Sequence, residues 1–141
     1  STFCQYVAYK WAQGTIWPQF THLFWIRLRN LSETFYAKGK KYKAAEVLSQ
    51  ECELEIKSMK AFLSDPKYKA STLLLLDGED ELSLDAGSKQ GHLHPILNEF
   101  KTLFDHILVT SRPQPSAIIP NQCCRLEILG FDHKGIDQYV N

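Results

Sequence analysis

The chain has 141 residues, with 16 Lys and Arg balanced by 16 Asp and Glu, so its formal net charge at neutral pH is zero. That balance excludes a bulk electrostatic binder of nucleic acid or of membrane surfaces. At 44% hydrophobic and 23% charged residues it has the composition of one ordinary globular domain, which excludes global disorder.

The sequence opens with Ser1 rather than Met and has no basic-plus-apolar leader, and it is expected to be an internal piece of a longer protein. Phe3, Val7 and Trp11 fall at i, i+4 and i+8 and predict a helix running to about Gln13, with Gly14 as its stop. Residues 22–28 mix Leu23, Phe24, Trp25 and Ile26 with few breaks, the pattern of a buried strand covered on both faces. A lysine-rich stretch at 38–43 leads into Ala45, Leu48, Cys52, Ile56, Met59 and Leu63. Their spacing predicts one long amphipathic helix, supported by a Glu53–Lys57 pair and ended at Asp65-Pro66.

A second apolar run at 72–76 is too short for a helix and reads as a strand, followed at once by Asp77, Gly78, Glu79, Asp80 and Glu81. Residues 83–91 read as a loop, and Pro95 opens a helix bearing Ile96, Phe100 and Leu103. Residues 106–109 form a predicted third strand and 125–129 a fourth, separated by a connection in which Pro113, Pro115 and Pro120 forbid helix. Asp132 can cap a last helix. Helices alternating with short apolar strands predict an α/β fold with a parallel sheet, whose ligands bind at the carboxyl ends of the strands. The longest strictly aliphatic run, Leu73 to Leu76, is far short of the ~20 residues a membrane-spanning helix needs.

The chemistry concentrates at two strand exits. A carboxylate such as Asp77, leaving a buried strand, can hold a hard cation such as Mg²⁺ directly or through water; the alternative is a solvated turn acid, which Asp-Gly often is. Four acids within five positions repel one another and favour a cation or a basic partner nearby, which makes Asp80 and Glu81 candidates for polarising an attacking water. Thr110, Ser111 and Arg112 emerge on the same rim, where Arg112 can pair with a γ-phosphate or join a loop salt bridge. Ser1 and Thr2 open a helix, where a phosphate or its metal would meet free backbone amides, or where they serve only as a cap. His92 and His94 have no third ligand at a defensible spacing, so a metal site built from them and the cysteines is not expected. Cys4, Cys52, Cys123 and Cys124 show no C-x-x-C spacing and read as free thiols, the adjacent pair at 123 and 124 being the redox alternative. The early Trp and Tyr residues read as core packing.

With these segments in order, the chain resembles the NACHT nucleotide-binding domain of STAND-class P-loop NTPases. Leu73-Leu74-Leu75-Leu76-Asp77-Gly78-Glu79-Asp80-Glu81-Leu82 is similar to that family's Walker B segment, and Val109-Thr110-Ser111-Arg112-Pro113 to its sensor 1 segment. Leu126-Glu127-Ile128-Leu129-Gly130-Phe131, with Ile136 and Tyr139, is similar to the strand-to-helix passage that follows. Ser1-Thr2-Phe3 and the helix after it look like what comes directly after the Gly-Lys of a P-loop.

The resemblance implies a three-layer P-loop NTPase-type parallel sheet flanked by helices, lacking its first strand and most of the P-loop. Residues 1–131 would be the incomplete core, and 132–141 the start of a helical region. It implies Ser1 as a Mg²⁺ ligand, Thr2 as a neighbour of the phosphates and Asp77 as the Walker B carboxylate on Mg²⁺. Asp80 and Glu81 would be the acids of the hydrolytic step, and Arg112 the sensor of the γ-phosphate. Glu79 departs from the family pattern, which places an apolar or aromatic residue there. The implied cofactors are Mg²⁺ and ATP or ADP, ahead of GTP. The implied role is a nucleotide-binding, hydrolysing switch module of a larger cytoplasmic signalling or defence protein. Its partners would be other domains of the parent chain and further copies of itself, with no direct nucleic acid and no membrane. The alternative is a non-hydrolysing scaffold or oligomerisation domain with the same fold. In that family the strand before the P-loop lies inside the sheet, so the isolated chain is expected to fold poorly and to bind nucleotide weakly. Any NTP phosphohydrolase activity is expected of the parent protein.

Overall fold

A computed structural model describes residues 2–82, 91–112 and 124. The predicted fourth strand at 125–129, the helix from Asp132, the boundary near 131, most of the 83–91 loop and Ser1 lie outside them. Helix α1 (Thr2–Ala12) is followed by strand β1 (His22–Arg27), helices α2 (Ala44–Glu51), α3 (Ile56–Ser64) and α4 (Tyr68–Ser71), and strand β2 (Thr72–Asp77). Helix α5 (His94–Leu103) and strand β3 (His106–Val109) come next. The three strands form a parallel sheet in the order β1-β2-β3, so β2 is central. Helices flank the sheet in the α/β arrangement of a P-loop NTPase-type fold.

Side chains alternate across a strand, and this period of two sorts the sheet into two faces. Phe24 and Ile26 of β1 and Leu74 and Leu76 of β2 face the larger core, shared with Val47 and Leu48 of α2, Met59 of α3, and Ile96 and Phe100 of α5. Leu75 faces the other way, onto Cys4 and Val7 of α1, with Leu23, Trp25 and Leu108 packed around them. Helix on one face and helices on the other leave all six residues of β2 buried. Each fully buried leucine contributes about 1.5–3 kcal/mol relative to an exposed one.

Three local expectations are corrected. The stripe that α1 buries runs through Cys4 and Val7, while Phe3 is exposed. Strand β1 alternates: Phe24 and Ile26 are buried, but Leu23 and Trp25 are only half-covered on the face of α1. The single long helix is two helices. Glu53 takes a left-handed φ of 54°, and the Leu54 amide donates to the Ser49 carbonyl at 3.0 Å. That bond from the second residue past the cap to the third-last helical carbonyl is a Schellman closure, with Glu53 where glycine is usual. Glu53 therefore stands outside both helices, and its expected i,i+4 pair with Lys57 is not a helical pair. The N-terminus of α2 is capped from a distance: the Ala44 amide donates to the Glu99 carboxylate on α5 at 2.9 Å.

Candidate functional site at the strand exits

Register and parity bring the site together. Arg27, the last residue of β1, is the register partner of Asp77, the last of β2, and Leu76 partners Val109 of β3. Trp25, Asp77 and Thr110 each lie an even number of positions from a side chain in the smaller core, so all three fall on the face covered by α1. The Thr110 amide donates to Leu76 O at 3.0 Å, extending the ladder one step past β3.

Asp77 is 5% exposed, and both of its carboxylate oxygens are held. The Thr110 hydroxyl donates to Oδ1 at 3.1 Å, and the Trp25 indole N–H donates to Oδ2 at 3.2 Å. A hydroxyl that gives its one proton to Asp77 can accept two bonds. Thr110 Oγ1 accepts from the Gly78 amide at 3.0 Å, and the Cys4 thiol lies 3.7 Å away as the second donor. Fully buried Cys4 thereby ties the first turn of α1 to the Asp77 rim.

Beyond Asp77 the chain turns sharply. Gly78 has φ +81°, a left-handed value that a side chain disfavours, and a Cβ there would meet Glu81 Cδ at 3.3 Å. The turn is pinned to the sensor-like segment, because the amides of Gly78 and Glu79 donate to Thr110 O at 3.1 and 2.8 Å. A short 3₁₀ turn, Glu79–Glu81, then distributes the acids. Glu79 is buried at 6% exposure, Asp80 is half-buried and Glu81 is exposed.

Asp80 and Arg112 are brought together. The Arg112 amide donates to Asp80 Oδ1 at 3.3 Å, and its Nε lies 3.5 Å from Oδ2, with the guanidinium side chain 87% exposed. The loop salt bridge weighed for Arg112 is formed, and it joins two residues with separate implied roles. Thr2 is the exposed first residue of α1, two positions before Cys4.

The acid cluster is thus dispersed rather than convergent. Among the described residues no group of three or more His, Cys, Asp or Glu side chains could hold a metal ion. The donor set at Asp77 nonetheless fits Mg²⁺, which keeps several waters and takes one or two carboxylates plus substrate phosphates. The imidazole of His92 does different work: its Nε2 lies 2.7 Å from the Tyr36 carbonyl, and a carbonyl only accepts, so Nε2 carries the proton. Cys4, Cys52 and Cys124 are free thiols, and burial pushes the Cys52 thiol up to about 11, the Trp25 backbone bond opposing it. Cys123 lies outside the described residues.

Two contributors, Trp25 and Cys4, were not singled out as site residues from sequence, and a third, Thr110, was placed on the rim without its bond to Asp77. For Trp25 and Thr110 the signal is parity, since each shares a strand face with Asp77 once register is known; Cys4 comes from helix α1, where strand parity does not apply. No helix among the described residues is long and apolar enough to cross a membrane. A family model described as NACHT domain matches residues 1–141, the whole sequence. No curated protein matches the chain.

Proposed function

The chain belongs to the NACHT domain family of nucleotide-binding, NTPase-type modules, and on that premise we propose that it is an ATP-hydrolysing switch whose Mg²⁺ carboxylate is Asp77. The observation that carries this reading is the buried Asp77 carboxylate at the exit of the central strand, with a proton donor on each oxygen. Donors on both oxygens fix the plane of the carboxylate at the strand exit, where a hard cation would meet it.

Ser1 and Asp77 would hold Mg²⁺, which when bound supplies charge neutralisation at the phosphates. Thr2, at the head of α1, would neighbour the phosphates, where helix amides face an anion. Glu81 and Asp80 would orient the attacking water. Arg112 is paired with Asp80 in the structure, so a γ-phosphate must compete with that carboxylate for the guanidinium. Exchange of Arg112 from Asp80 to phosphate would free Asp80 and report nucleotide state along β3, a local charge event with a wider readout.

ATP rather than GTP, a core spanning 1–131 with a helical region from 132, self-association, contact with other domains of a parent chain and a cytoplasmic setting are parts of the same proposal, and they rest on the resemblance. A second reading, a non-hydrolysing scaffold, is favoured by the Asp80–Arg112 pair, because its two contacts engage both oxygens of Asp80 with the Arg112 amide and Nε. Asp77→Asn in the intact protein tests the first reading. Loss of Mg²⁺-dependent ATP turnover together with weaker binding supports it, and survival of both unchanged refutes the metal role. Wild-type binding without turnover selects the scaffold.

A further inference from the structure

We infer that Trp25 is a positioning residue for metal binding: its indole N–H fixes the plane of the Asp77 carboxylate, and the Arg27 guanidinium stacked on the ring strengthens that donor. The inference rests on the reading of Asp77 as the Mg²⁺ carboxylate.

Three observations carry it. The Trp25 Nε1–H donates to Asp77 Oδ2 at 3.2 Å, from a strand 52 residues earlier in the chain. On the opposite oxygen the Thr110 hydroxyl donates at 3.1 Å, so rotation of the carboxylate would break one bond or the other. Finally, the Arg27 guanidinium carbon lies 4.4 Å from the centre of the Trp25 ring. A cation on the ring face draws electron density from the indole and makes its N–H a stronger donor. Arg27 and Trp25 sit on the same face of β1, two positions apart, and Arg27 is the register partner of Asp77. At the strand exit the guanidinium therefore lies on the face of the ring and the carboxylate at its N–H edge.

Trp25 is only half-covered, so hydrophobic burial alone does not account for its orientation. Partners that orient a ligating side chain govern metal affinity through the ligand they hold, and their loss weakens it typically 10–100-fold. A packing role and a positioning role differ in what they move. Packing alters nucleotide affinity with and without metal alike; positioning alters only the metal-dependent part.

The test uses the intact protein with ADP as the probe, in a Mg²⁺ titration read by thermal stabilisation and by direct binding. Trp25→Phe keeps a ring and removes the N–H. The expected result is about a tenfold rise in the Mg²⁺ concentration at half-saturation, with ADP affinity in EDTA unchanged. An unchanged Mg²⁺ half-point, or an equal loss with and without metal, overturns the inference. Asp77→Asn run alongside separates the two levels. If it leaves the Mg²⁺ dependence as in wild type, the reading of Asp77 itself fails. If it abolishes that dependence while Trp25→Phe does not change it, only the role of Trp25 fails. Should Trp25→Phe not fold, the wild-type protein still decides. The indole N–H resonance of Trp25, assigned by through-bond correlation to the backbone of its own residue, is expected to move when Mg²⁺ is added to the ADP complex, and a stationary resonance refutes the role.

Discussion

Removal of the Thr110 hydroxyl tests the construction of the Asp77 rim without any nucleotide. Thr110→Val keeps the β-branched shape and deletes one oxygen. That oxygen donates to Asp77 Oδ1 at 3.1 Å and accepts from the Gly78 amide at 3.0 Å. The amide is not orphaned, because Thr110 O also accepts from it at 3.1 Å. The carboxylate loses more: at 5% exposure it is left with fewer donors and little water to replace the missing one. A hydrogen bond to a charged group contributes about 1.5–3 kcal/mol, and the contact with the Cys4 thiol is weak by comparison. The expected cost is therefore about 2 kcal/mol, a sizeable share of the total stability of a single domain. Urea denaturation monitored by circular dichroism would show it as a lower midpoint at unchanged slope, with a Tm lowered by about 5–8 °C. Thr110→Ser, which keeps the hydroxyl, should retain most of the stability. A valine variant within about 0.3 kcal/mol of wild type, a shift typical of a surface substitution, or a serine variant as damaged as valine, would refute the claim that this hydroxyl holds Asp77.

Glu53→Gly should stabilise the protein by about 0.5–1 kcal/mol, since glycine relieves the left-handed residue that closes α2. A single continuous helix would give the opposite sign, a loss of about 1 kcal/mol, and the same denaturation assay reads either result. Gly78→Ala should cost about 1–2 kcal/mol, because φ +81° is strained for alanine; an unchanged midpoint would place the strain elsewhere. Cys52, with its thiol pushed up to about 11 by burial, should resist a thiol reagent at pH 8 while exposed Cys124 reacts. The shift is upward, so the native state holds the proton longer than the unfolded chain does. Its stabilising contribution is complete below the ordinary value of 9.0 and is lost as pH rises toward about 11. Cys52→Ala should remove that part of the alkaline slope in a pH series of unfolding midpoints; an unaltered slope would assign it to other groups.

The sequence announced the elements whose burial is unambiguous. Four leucines between polar neighbours left β2 no alternative to a strand covered on both faces; the carboxylate following them was legible only as a candidate, with a solvated turn acid as its alternative, and gained weight from the acids after it. Helix α5 was marked by Pro95 and by a clean three-and-four spacing. The break between α2 and α3 was hidden because its left-handed residue is Glu53, not glycine, and the apolar period runs through it without interruption. Strand β1 was overread: an apolar run does not reveal that the α1 face covers Leu23 and Trp25 only partly. Trp25 itself looked like packing because its polar atom matters only once register sets it beside a residue 52 positions later. Thr110 was placed on the correct rim, yet its bond to Asp77 depends on which way successive side chains point past the end of β3, a matter of parity that no motif records. The pairing of Asp80 with Arg112 is of the same kind: both were candidates, and their proximity is a property of the fold.

The central claim is that Asp77 makes nucleotide binding depend on Mg²⁺. Calorimetric titration of the intact protein with ADP and with ATP, in Mg²⁺ and then in EDTA, tests it most directly. The account predicts binding that is tighter in Mg²⁺ and that Asp77→Asn reduces to the EDTA level. Binding indifferent to both Mg²⁺ and Asp77→Asn, or no binding by a folded protein, would contradict it.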